Sequence, residues 1–155
     1  MRRFISCIAL LLIISLFLCS CANQNSVDLN ALTQSINEEF SLTDMTPVTT
    51  ADELYTLFLI EEDDISQFAA EYDAESDIRR EIILVEAKDK TSAFQVKTTL
   101  YNRLDSFLSN SKSYSPEEYA VLENCSVNVY QDIYVTLVIM GNAEEIDRYI
   151  EEYLS

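Results

Sequence analysis

The side chains able to do chemistry in this 155-residue chain are four thiols, 27 carboxylates and nine phenols. There is no His, which removes the usual general base and the commonest metal ligand. There is no Trp either, so a stacking platform for sugars would rest on Tyr or Phe. The single glycine, Gly141, excludes the GxxxxGK and GxGxxG loops that cradle phosphates. Carboxylates remain. Two of them about 5–10 Å apart can hydrolyse a glycosidic bond, but among 27 such pairs arise by chance, and spacing singles out none. The densest run, Glu61-Glu62-Asp63-Asp64, lacks the pattern of a calcium loop, which needs alternating oxygens, a central Gly and a distant Glu. It reads as a solvated turn. The pattern therefore nominates no catalytic residue, no metal ligand and no cofactor.

The thiols are informative in another way. Arg2 and Arg3 precede an apolar run from Phe4 to Leu18, broken only by Ser6, Cys7 and Ser15. As a helix at about 1.5 Å per residue it spans roughly 22 Å, short of a bilayer core of about 30 Å. It suits the apolar region of a secretory signal. At its end, Leu18-Cys19-Ser20-Cys21 resembles the bacterial lipobox, with Leu at −3, a small residue at −1 and Cys at the cleavage point. Cys19 departs from the Ala, Ser, Thr or Val usual at −2. The resemblance implies cleavage between Ser20 and Cys21 and a diacylglyceryl group on the Cys21 thiol. The chain is then lipid-anchored on the outer face of the cell membrane, with an affinity of about 0.8 kcal/mol per buried CH₂.

The expected layout is a signal peptide over 1–20, the lipidated Cys21 with a short polar tether over 21–27, and a single domain over 28–155. Loss of 1–20 removes Arg2 and Arg3 and leaves eight basic against 27 acidic residues, a net charge of −19. Such a field repels nucleic acid and anionic polymers. Cys125 becomes the sole unmodified thiol, so the domain has no internal disulfide and no thiolate cluster for zinc.

The elements follow from periodicity. Leu29, Leu32, Ile36 and Phe40 share one helical face, with Asp28 as the cap. A break through 43–47 precedes a capping box, Thr50 with Glu53, and a short helix through Leu54, Leu57 and Phe58. Phe68, Ala70 and Tyr72 alternate with Gln67, Ala69 and Glu71, as in a half-buried strand. Ile82-Ile83-Leu84-Val85 is apolar on both faces and reads as a central strand. A helix over about 92–109 buries Leu100, Leu104, Phe107 and Leu108, and 109–113 reads as a loop. Ser115-Pro116 opens a short helix to about Leu122.

Cys125, Val127 and Val129 then form the buried side of another strand, where Cys125 reads as structural. Gln131-Asp132 turns into Tyr134 to Met140, a strand apolar on both faces, and a last helix over 144–154 buries Ile146, Tyr149, Ile150, Tyr153 and Leu154. The two halves share a pattern, which predicts an α+β fold. Its core is ββα-ββα, a four-stranded, mostly antiparallel sheet covered on one face by two helices, with N-terminal helices added.

From about Leu54 onward the chain also resembles the domain of unknown function 4358 family, small lipoproteins of Gram-positive, clostridia-like bacteria. The resemblance rests on Arg80-Glu81-Ile82, Lys88-Asp89, Tyr114-x-Pro116-x-x-Tyr119, Asn124, Val127 and Tyr134-Val135. Gln131-Asp132-Ile133 departs from it, because family members often carry Gly in that turn. The resemblance implies an address and an architecture, and brings no catalytic residue.

The reading is therefore a lipid-anchored, non-catalytic binding or accessory module taking a protein partner or a small ligand at the cell surface. The alternatives are a small carboxylate-dependent envelope hydrolase, marked by a shielded Asp or Glu in a cleft, and a purely structural envelope component. For the latter, Tyr101, Tyr114, Tyr119 and Tyr130 could supply an aromatic contact surface.

Overall fold

A computed structural model describes residues 27–154. Five helices, α1 (Leu29–Glu39), α2 (Ala51–Phe58), α3 (Lys90–Tyr114), α4 (Pro116–Leu122) and α5 (Ala143–Leu154), pack on one antiparallel sheet. Its strands are β1 (Thr46–Val48), β2 (Ile65–Tyr72), β3 (Glu81–Ala87), β4 (Val127–Tyr130) and β5 (Tyr134–Ile139), in the order β1-β2-β3-β5-β4. The class is α+β, as expected, with a fifth strand. β1 falls in the expected break: Pro47 cannot serve an inner strand, but at an edge its missing N–H costs nothing.

The helices do not share a face. Register places Ile83 and Val85 against Leu137 and Val135 on one side of the sheet, and Ile82 and Leu84 against Val138 and Thr136 on the other. α3 closes the first side with Ala93, Val96, Leu100 and Leu104, joined by Leu54 and Phe58 of α2 and Leu122 of α4. α5 closes the second with Ile146, Ile150 and Leu154, beside Leu29, Leu32 and Ile36 of α1. A two-fold axis between antiparallel neighbours stands perpendicular to the sheet and would keep both helices on one side. The ββα repeat is therefore one of pattern and not of symmetry. Central strands apolar on both faces need cover on both, and α1 supplies half of the second cover. It also makes β2 more buried than expected, because Ala69 and Glu71 are shielded along with Ala70.

Local chemistry sets the ends. Asp28 accepts from the amides of Asn30 and Ala31, Thr50 and Glu53 complete the capping box, and Asp89 accepts from Thr91 and Ser92. α3 runs five residues past the expected end. Ser111 is buried there and donates to Glu118 at 2.9 Å, which offsets the weak helix propensity of the serines. Pro116 then stops the helix by excluding Ser115 from the helical conformation, at φ −144° and ψ 78°. In β4, an edge strand, Val129 is exposed instead of buried. Tyr153 of α5 is likewise exposed, at the border of the stripe formed by Ala143, Ile146, Ile150 and Leu154.

The β4–β5 turn has Gln131 and Asp132 both at positive φ, 48° and 66°, as a type I′ turn requires. Glycine takes that conformation without strain. Gln131 also donates to the Leu154 carbonyl, whereas Asp132 makes only an exposed ion pair with Lys90. Asp132→Gly is expected to raise stability by about 0.5–1 kcal/mol, read as a higher urea midpoint at unchanged slope.

Candidate functional site

α1 crosses the outer part of the sheet and leaves a groove between itself and the β1–β2 edge. Its innermost part, ≈ 340 Å³, is walled by Asn30, Thr33, Gln34 and Asn37 of α1, by Met45, Pro47 and Val48, and by Ala69 to Glu71 of β2. Asn30, Pro47 and Val48 also line an adjoining cleft of ≈ 590 Å³ that reaches Ser66 and Gln67. Gln67 ties this end to the chain start, its amide donating to the Val27 carbonyl and accepting from the Leu29 amide.

Glu71 sits at the inner end. Its register neighbours are Pro47 and Ile82, which turns its side chain to the α1 face. Ile36 anchors α1 in the core there, and the next residue round the helix, Asn37, reaches Glu71, with Nδ2 donating to Oε2 at 3.0 Å. The opposite atoms of this pair, Glu71 Oε1 and Asn37 Oδ1, are buried with no hydrogen-bond partner. Glu71 is only 5% exposed, and burial pushes its carboxyl above the usual range, opposed by the Asn37 bond and the charge of Arg80. Arg80 is itself held by Asp73 at 2.8 Å.

A second buried carboxylate lies through the sheet. Glu81 accepts from Arg103 twice, Nε to Oε2 at 2.9 Å and Nη2 to Oε1 at 2.7 Å, while Arg103 Nη1 donates to the Leu57 carbonyl at 2.7 Å. Arg79 approaches Glu81 at 3.4 Å and Glu118 at 3.6 Å. The guanidiniums of Arg79 and Arg103 lie 3.8 and 4.8 Å from the Phe107 ring centre. This cluster ties β3, α2, α3 and α4 together. A hollow of ≈ 370 Å³ between α2 and α3 opens on Arg103, whose fork is already engaged.

A third carboxylate, half-buried, is Asp147 on α5. Burial raises it to about 6, with Asn128 and Ser126 opposing, and its Oδ1 has no partner. Tyr130 nearby is pushed to about 12 by burial and by the charges of Asp147 and Glu151. A folded-state value above the unfolded one means the neutral form is favoured on folding. Stability from this group is complete below about pH 4 and is lost as pH rises through about 6. Asp147→Asn is therefore expected to stabilise at pH 7 by roughly 1–2 kcal/mol, discounted for partial solvent access, and to have no effect near pH 3.5. Urea unfolding at the two pH values checks this; a destabilised variant at pH 7 contradicts it.

These carboxylates do not meet. Glu71 and Glu81 occupy opposite faces, and three strand spacings, roughly 14 Å, separate β2 from β4, beside which Asp147 lies. Of the sequence candidates, Ser20 and Cys21 lie outside the described residues. Glu61, Glu62 and Asp63 are exposed around one 3-10 turn. Cys125 is half-buried, its thiol donating to the Val121 carbonyl at 3.3 Å, and burial raises its pKa. Tyr101 and Tyr114 are exposed and Tyr119 half-buried, while Tyr130 packs on the α5 side of the sheet, so the four do not converge. Sequence reasoning missed Glu71 and Arg103. The available signal for Glu71 was the apolar stripe of α1, which required a sheet face to cover. No described helix is long and apolar enough to cross a membrane.

A family model described as Domain of unknown function (DUF4358) matches residues 38–140. The match begins ahead of Leu54 and stops at Met140, taking in β1 and α2 and leaving out α5 and nearly all of α1. No curated protein and no solved structure matches the chain.

Proposed function

Since this chain belongs to the family described as Domain of unknown function (DUF4358), whose description assigns no activity, we propose a function from its groove and its N-terminal segment. The protein is a membrane-anchored bacterial surface lipoprotein that acts as a non-catalytic binding module. Its ligand occupies the groove between α1 and the β1–β2 edge. The observation that carries this reading is the groove itself, concave, partly apolar, and ending on a buried carboxylate of raised pKa.

The anchor supports the same reading. Cys21 and Val27 are six residues apart, a span of at most roughly 20 Å. Val27 is fixed at the Gln67 end, where its amide donates to Tyr134 Oη at 3.3 Å. The tether therefore allows the Gln67 end of the groove to lie within roughly 20 Å of the anchored Cys21. Expression of the full chain in a Gram-positive host tests the anchor. The expected product is membrane-bound, begins at Cys21 and carries diacylglyceryl mass, whereas Cys21→Ala accumulates unlipidated. A product still beginning at Met1, or one without lipid, contradicts it.

A further inference from the structure

The inner end of the groove presents two acceptors and offers them no donor. Glu71 Oε1 and Asn37 Oδ1 are both buried without a partner, and they belong to side chains already joined by one hydrogen bond. A buried carboxylate oxygen without a partner is costly, and the cation whose charge acts on it, Arg80, is committed to Asp73. A complementary group must be compact, bring at least two N–H or O–H donors, and gain from positive charge beside a carboxylate. A calcium ion needs six to eight oxygens, and among the described residues no three metal-ligating side chains cluster. An –NH₃⁺ group, with three donors and no acceptor, fits the requirement.

We propose that the inner end of the groove binds a primary ammonium group. Glu71 Oε1 and Asn37 Oδ1 accept its hydrogen bonds, and Met45 and Pro47 take the carbon chain that carries it. This deepens the groove-binding reading and rests on it. Both oxygens are closed to water in this conformation, so entry includes a rotamer change at the rim, where Met45 is unbranched and half-buried. The competing arrangement is a protonated Glu71 that donates to Asn37 Oδ1 and needs no ligand.

The test uses the full-length protein in mild detergent at pH 8. Thermal unfolding and titration calorimetry are run with ethylammonium and ethanolamine, and with tetramethylammonium at equal ionic strength as a cation lacking N–H donors. The amines are expected to raise Tm by several degrees near saturation, and tetramethylammonium to leave it unchanged. Glu71→Gln keeps the shape of the site and is expected to weaken amine binding at least tenfold. Gln34→Trp, at the exposed rim, leaves both acceptors in place and is expected to block binding; it stands in if Glu71→Gln fails to fold. Phosphatidylethanolamine against phosphatidylcholine vesicles separates a lipid-borne amine from a free one. Equal shifts with tetramethylammonium, or undiminished amine binding in Glu71→Gln, overturn the proposal. No amine binding while another compound binds and is blocked by Gln34→Trp overturns the ammonium assignment alone. No groove ligand of any kind removes both readings.

Discussion

Arg103→Ala is expected to lower stability by about 3–5 kcal/mol, a fall in Tm of roughly 10–20 °C for a domain of this size. The reason lies less in the attraction lost than in what is left behind. Glu81 is 3% exposed and receives both of its close hydrogen bonds, at 2.9 and 2.7 Å, from Arg103. Without the guanidinium, that carboxylate stays buried with only Arg79, at 3.4 Å, and the Leu57 carbonyl at the end of α2 loses its donor. The stacking on Phe58 and Phe107 goes as well. The double variant Arg103→Met with Glu81→Leu is expected to recover most of the loss, because an apolar pair of similar volume removes the stranded charge. Denaturant unfolding of the two single variants and the double variant closes the cycle. A loss below about 1 kcal/mol in Arg103→Ala, the range of an exposed ion pair, contradicts the account.

Ile36→Ala is expected to cost about 2–5 kcal/mol. Ile36 has no exposed surface and packs α1 into the second core layer with Leu29, Leu32, Ile82 and Leu84. The effect is also expected to be local. α1 holds Asn37 over Glu71, so loosening it admits water to the groove, and amide hydrogen exchange should rise first in 29–39 and then in β2. A uniform rise across the sheet, or a loss below about 1 kcal/mol, contradicts the proposed role of α1 as the cover of that face.

Much of the fold was legible because its signals are local. The Asp28 and Thr50 caps, the turn at Gln131-Asp132 and the two apolar strands stand where periodicity puts them. Ile82 to Val85 and Tyr134 to Ile139 also carry the signal for cover on both faces of the sheet. Strands apolar on both faces demand helices on both, so two helices on one side could not suffice. β1 was hidden by Pro47, which reads as a break until an edge position is available for it. The extension of α3 depends on Ser111 meeting Glu118, a contact that no propensity encodes.

The site was less legible than the fold. Gln67, Ala69 and Glu71 look like a solvent-facing row until α1 covers them, and what marks Glu71 is its pairing with Asn37, 34 residues earlier. Glu81 and Arg103 are 22 residues apart on different kinds of element, so no single period relates them. Arg80-Glu81-Ile82 nevertheless carried part of the family resemblance, and the structure gives that short motif a physical content: Arg80 holds Asp73, Glu81 holds Arg103, and Ile82 enters the second core layer.

The groove is tested most directly by thermal unfolding of the detergent-solubilised wild type and of Gln34→Trp. Both are scanned across one panel of amines, cell-wall fragments, metabolites and divalent cations. A ligand present at 100 times its Kd stabilises by about 2.7 kcal/mol. The account predicts that at least one compound raises the wild-type Tm by several degrees and leaves Gln34→Trp unmoved. No shift in the wild type across the panel, or equal shifts in both proteins, would contradict it.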